Sequence, residues 1–473
     1  MKNLFFILFI SFSACTKNLS YTAVGKSAVD TELDEETYPA NGDYIVQVRD
    51  QGDTEWKTLF THNAVTKKYS NGQLGNCGFV SFDSDFSKPV EIQVTKTSGS
   101  IGSVRIRPSF TNITYTQSGN QIQFTLQNAQ KISVEFNGDI MNNLFVFANP
   151  PEQNKPNPGD PDVIYFGPGI HNAGEIIVTA GQTVYLAEGA LVYGYLWSSD
   201  ADNVTIRGRG ILDGSKLNHD VNQHRVWLVG LTNGSHITID GIVMRDAPMW
   251  TTVLRNTDSV NITNIKHLCY NENSDGLDII QSHHVTIDDV FLRNHDDNIS
   301  LKIHDSTATS NITLKNSVLW ADRAHNMLVG PESSGGTFEH IQFNNIDVLE
   351  NAQNDEVFPG VMAVMAADGG EFRQIEWKNI RIEDITAGKI ICIQYTDAYA
   401  QQGFGNSVAD VSFTNVTYTG SNASPSRIFG KDVSRTVDTV RFKNFVVNGV
   451  LANDEASANL QVNSFVHNLS FAP

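Results

Sequence analysis

Apolar and polar residues alternate in short runs along most of the chain, with a period of two. Between residues 38 and 149 the runs include Tyr44-Ile45-Val46-Gln47-Val48, Val90-Glu91-Ile92-Gln93-Val94, Gln121-Ile122-Gln123-Phe124-Thr125-Leu126 and Ile132-Ser133-Val134-Glu135-Phe136. Alternation of this kind, interrupted by turn residues, predicts half-buried antiparallel strands. Roughly a hundred residues of it predict a small antiparallel β-sandwich. The four prolines between Asn149 and Gly159 predict a stiff boundary over 150–162.

From 163 to 473 one phrase recurs: apolar, polar, apolar, polar, small polar, apolar. It reads Val260-Asn261-Ile262-Thr263-Asn264-Ile265, then Val285-Thr286-Ile287-Asp288-Asp289-Val290, with later copies starting at Ile312, Ile341, Ile375, Val411 and Val440 and an earlier one at Ile237. In the copy at Ile312 the final apolar residue is expected to slip by one, to Val318. Start-to-start spacing runs from 23 to 36 residues. Such recurrence predicts a solenoid, and strand-plus-turn phrases without helical periodicity make it a parallel β-helix. The fifth position, most often Asn, is expected to turn a corner and to stack from coil to coil. Composition agrees. The chain has 473 residues, 36 of them Gly and 44 Asn, which favour turns over helix interiors.

Charge narrows the partners. With 52 acidic and 33 basic residues the formal charge is −19. That argues against nucleic acid, whose phosphates need a positive field. At the N-terminus, Lys2 and the apolar run Leu4–Ile10 predict a signal peptide over 1–14. Small residues ahead of Cys15 make it the expected lipidation site, followed by a polar tether over 15–37. The membrane is then met only through a lipid anchor, in a bacterial cell envelope (periplasm or outer surface). Cys77, Cys269 and Cys392 lack metal spacing and are expected as buried small hydrophobes.

Chemistry enters where the coils are aligned by their second strands. Asp275 precedes Leu277-Asp278-Ile279-Ile280, the Asp296-Asp297 pair precedes Asn298–Ile303, and His325 precedes Met327-Leu328-Val329. On successive coils these residues fall at one angular position. Crowded carboxylates raise one another's pKa. A protonated acid beside an ionised carboxylate is the machinery of glycoside hydrolysis, with a gap of about 6.5–9.5 Å for the inverting form. An acidic stack alone is also a calcium-type ligand set; no metal and no cofactor is expected here. Lys302, Arg323 and His304 lie near in sequence and either orient hydroxyls or neutralise the acids. Trp250, Trp320, Tyr270 and Phe358 are candidates for stacking on sugar, against core packing.

These residues resemble glycoside hydrolase family 28, the polygalacturonases, and its clan relative family 49, the dextranases and isopullulanases. The phrases are Gly208-Arg209-Gly210-Ile211-Leu212-Asp213-Gly214, Ala247-Pro248-Met249-Trp250, Asn273-Ser274-Asp275-Gly276, Asp296-Asp297 and Ala324-His325-Asn326. The resemblance implies a right-handed parallel β-helix, inversion, Asp296 as general acid, and Asp275 with Asp297 holding and activating water. It implies that His325 supports the acid or contacts sugar. Asn273, Lys302, Trp250 and Arg323 are the substrate-binding candidates. Polygalacturonases carry an Arg-x-Lys pair that grips uronate. The corresponding stretch here is Val361-Met362-Ala363-Val364-Met365-Ala366, so pectate is disfavoured. A sandwich ahead of the helix is similar to family 49, which cuts neutral α-glucans. The expected partner is therefore a polysaccharide or oligosaccharide. A polysaccharide lyase and a non-catalytic glycan-binding β-helix remain the alternatives.

Overall fold

The computed structural model describes residues 39–353 and 360–473. The expected signal peptide, tether and Cys15 lie outside the described residues, as does Phe358. Two five-stranded sheets come first, from Tyr44 to Asn149. Their facing sides are the alternate residues of the sequence pattern: Tyr44, Val46 and Val48 in one strand, Val90, Ile92 and Val94 in the next, Ile122, Phe124 and Leu126 beyond. Pairing within the sheets is antiparallel except between Leu74–Asp83 and Leu144–Asn149, which run parallel. The latter strand is the one that leaves the sandwich.

From Val163 onward the chain winds as a right-handed parallel β-helix. Strands of successive coils stack in parallel ladders. In one, Thr252–Arg255, Leu277–Ile280, Ile299–Lys302 and Met327–Val329 lie in direct register. The repeated phrase forms another ladder, and its fifth position turns the corner. Asn264, Asp289, Asn316, Asn345, Asn379, Asn415 and Asn444 all adopt positive φ between 49° and 59°. Asn tolerates that left-handed conformation better than most residues. The amides then bond coil to coil: Asn345 donates to Asn316, Asn415 to Asn379 and Asn444 to Asn415, at 2.8–3.1 Å. Beneath them the third position stacks Phe343, Trp377, Phe413, Phe442 and Phe471 at centroid distances of 4.8–5.5 Å.

The expected slip at Val318 does not occur. Ser317 keeps the sixth position in register with Ile346. It is tolerated inside because its hydroxyl donates to the Lys315 carbonyl (2.6 Å) and accepts from the Val290 amide (3.1 Å). A buried hydroxyl with both roles filled costs little.

Sandwich and helix share a core. Phe145 and Phe147 turn outward from the sandwich onto Phe291, 4.8 and 5.1 Å between centroids, and Phe145 meets Trp320 edge-on at 5.9 Å. Polar pairs pin the joint: Lys266 donates to Asn149 (2.6 Å) and Arg293 to Asn143 (3.1 Å). This corrects the reading of Trp320 as a sugar platform. It is fully buried, and its indole N–H donates to Asp322 at 2.9 Å. The three cysteines described, Cys77, Cys269 and Cys392, are buried.

Candidate active site

Each coil makes a turn just ahead of the ladder that contains Leu277–Ile280 and Ile299–Lys302. That turn positions the acids. The Thr251 amide donates to the Asp275 carbonyl (2.8 Å), the Gly276 amide to the Asp297 carbonyl (2.7 Å) and the Asn298 amide to the His325 carbonyl (2.9 Å). Asp275, Asp297 and His325 therefore stack directly, one coil on the next, and Asp296 stands one residue to the side. Gly276 allows this approach: a Cβ there would meet the Asn298 carbonyl oxygen at 2.3 Å. Below the cluster Asn294 donates to Asn298 (2.7 Å), and Asn298 to Asn326 (2.9 Å), all buried. This amide ladder fixes the turns from inside.

One oxygen from each of Asp275, Asp296 and Asp297 lies within 4.8 Å of the others. Those nearest-oxygen gaps fall below the 6.5–9.5 Å expected between carboxyl groups of an inverting pair. They suit a single bridging water, since two hydrogen bonds of about 2.8 Å span them. Asp297 Oδ1 accepts from the His325 backbone amide (3.0 Å) and pairs with His325 Nδ1 (2.7 Å). Asp296, half-buried, is pushed up to about 7, first by burial and then by the Asp297 charge, with Arg323 opposing. Burial, followed by Asp278 and Asp296, drives Asp275 well above the usual carboxylate range. The trio thus does not carry three charges near neutrality.

Lys302 sits behind the trio, fully buried. Its ammonium is 2.8 Å from Asp278, 2.8 Å from Glu332 and 3.5 Å from Asp275. It also lies 3.9 Å over the Trp250 ring. Desolvation alone would favour neutral lysine, but these carboxylates win and hold it well above its ordinary value. Trp250 stacks on Trp227 at 5.9 Å and 14°, and Trp227 on Trp197 at 5.7 Å. Trp250, half-buried, thus contacts an indole and an ammonium beside the cleft. Asn273 is exposed at the rim and accepts from Arg225 at 2.8 Å, while Arg225 also donates to the Glu272 carbonyl at 2.7 Å. Tyr270 is half-buried and stacks with His219 at 6.5 Å. Burial, then the Lys302 charge, lowers His304 to about 4.

Asp278, Glu332 and Arg225 were not among the expected site residues. Strand parity could have found Asp278: Leu277 and Ile279 fill the core, so Asp278 and, one coil on, Lys302 share the outer face. Glu332 and Arg225 lie in loops whose path no local pattern fixes. At the stretch that corresponds to the uronate grip, the outward residues are Ala363 and Met365, buried in a small apolar cluster with Leu328.

Residues 196–464 match the family described as glycosyl hydrolases family 28. An isopullulanase from Aspergillus niger is 23% identical over 375 residues, 63% of this chain and 65% of its own length. Exopolygalacturonase A from Aspergillus niger is 27% identical over 214 residues, covering 40% of this chain and 48% of that protein. The chain thus spans between about half and 65% of the length of these curated relatives. The structure of Dex49A from Penicillium minioluteum shares the fold, with a TM-score of 0.73 at 15% identity over 94% of this chain and 96% of that one. Because the family match takes in more than half of the sequence and contains every acid of the stacked turn, the chain belongs to glycosyl hydrolases family 28.

Proposed function

We propose that the protein is an inverting glycoside hydrolase that cleaves a neutral or weakly charged α-glycan polysaccharide. The observation that carries this reading is the convergence of Asp275, Asp296 and Asp297 on stacked turns, with one oxygen of each within 4.8 Å of the others. Burial and the Asp297 charge push Asp296 up to about 7, and Asp297 accepts from the His325 amide and pairs with its Nδ1. In the reaction, Asp296 gives its proton to the leaving glycosidic oxygen as the bond to the anomeric carbon breaks. Water held between Asp297 and Asp275 attacks that carbon and passes its proton to Asp297. Inversion is supported by the family resemblance, whose members attack directly with water, and not by the oxygen spacing.

The neutral substrate is supported by Ala363 and Met365 standing where a uronate would need cations, and by the isopullulanase relative. The lyase alternative needs a neutral Lys or Arg as base, and the three carboxylates around Lys302 keep it charged. The N-terminal sequence supports an envelope location with Cys15 as lipid anchor.

The test is release of reducing ends from a panel of pullulan, dextran, other α-glucans and polygalacturonate. Release from a neutral α-glucan is expected. An ultraviolet-absorbing unsaturated product would favour a lyase, and binding without any new reducing ends would favour the glycan-binding alternative. The pH profile is also predicted. A general acid acts only while protonated, so turnover should fall as pH rises through about 7. Constant turnover from pH 6 to 9 would count against Asp296 as the acid.

A further inference from the structure

The family match begins at residue 196, yet the sandwich ahead of it reaches the cleft. Strand His62–Lys67 ends at the rim, where the Lys67 ammonium meets Glu272 at 3.4 Å. Glu272 lies three residues before Asp275. Two residues beyond Lys67, the half-buried Tyr69 ring faces the Arg323 guanidinium, whose central carbon is 5.8 Å from the ring centroid. Arg323 is the foremost charge opposing the upward shift of Asp296.

The acid cluster therefore has two unlike flanks. On the Asp275 side stand Lys302 and Trp250, buried or packed face to face. Arg323, whose charge acts on Asp296 and which lies two residues from His325, stands with Tyr69, and both are partly open. A general acid protonates the oxygen of the departing sugar, so that sugar lies on the acid's flank. We propose that Tyr69, brought in by the β-sandwich and held beside Arg323, is the platform that binds the leaving-group sugar. The ligand is a hexose unit of the polymer. Its C–H face lies on the phenol ring, and its hydroxyls bond the guanidinium. The Lys67–Glu272 pair fastens this end of the sandwich strand to the loop that carries Asp275. Tyr69 is a binding residue and takes no part in proton transfer. The inference rests on the glycosidase reading above.

The experiment compares wild type, Tyr69→Phe and Tyr69→Ala on defined-length oligosaccharides of whichever panel polymer the wild type cleaves. Tyr69→Ala is expected to raise KM about five- to tenfold, with kcat within about twofold, and to shift the preferred cleavage position along the oligosaccharide. Tyr69→Phe should keep the wild-type position. A purely structural tyrosine would lower kcat and thermal stability without moving the cut, and that result would overturn the proposal. So would an unchanged KM and cleavage pattern in Tyr69→Ala, while loss of activity in Asp296→Asn would leave the glycosidase reading standing. If the wild type cleaves no polymer of the panel, both readings fall together.

Discussion

Asp296→Asn is expected to reduce turnover by about 10²–10⁴-fold, the usual contribution of a general acid. The substitution keeps the size of the side chain and removes only the proton that leaves with the sugar. Asp296 is half-buried and lies beside the stack. Its carboxylate accepts from the Asp297 amide at 3.1 Å, a bond the asparagine carbonyl oxygen can still accept. Folding and polymer affinity should therefore survive. The check is steady-state release of reducing sugar together with a binding isotherm on the same polymer. A variant that binds and cleaves like the wild type would remove Asp296 from the mechanism.

The second large effect is expected at Lys302. Its ammonium is the counter-charge for Asp278, Glu332 and Asp275 at once. Lys302→Met keeps most of the side-chain volume but strands two buried carboxyls. Removing one partner of a buried pair costs about 3–5 kcal/mol. The loss should depend on pH, and its sign follows from the carboxyls. Burial already raises Asp278 to about 7 in the folded protein. A carboxyl raised in this way favours the fold while protonated and loses that benefit as pH climbs through its folded pKa. Without Lys302 the Asp278 value rises further, so the deficit should be small at pH 5 and large at pH 9. Thermal inactivation midpoints of wild type and variant across that range provide the readout. Equal midpoints at pH 9 would mean that the ammonium is not the counterion it is taken to be.

Much of this arrangement is legible in the sequence. The repeated phrase gives the coil, and its fifth residue gives the corner, because only a few residue types accept left-handed backbone. Aligning the second strands brings Asp275, Asp297 and His325 into one column. What alignment alone could not fix was the one-residue offset of Asp296, since adjacent residues in a turn point in different directions. Of the two readings of Trp320, the core one holds for a physical reason. Phe291, Val318 and Trp320 make their strands apolar on the outer face too, and that excess is the mark of a docked partner, here the sandwich. Local pattern reveals the stickiness of such a face but not what covers it. Tyr69 and Lys67 were out of reach for the same reason: some two hundred residues separate Lys67 from Glu272, and only the docking brings them together.

The most direct measurement is proton NMR of the first sugar released from an α-linked glucan, recorded before mutarotation scrambles the anomers. If water held by Asp297 and Asp275 attacks opposite a leaving oxygen protonated by Asp296, the β-anomer appears first. An α-anomer in the earliest spectra would require a covalent intermediate on one of these carboxylates and would contradict the single-displacement account.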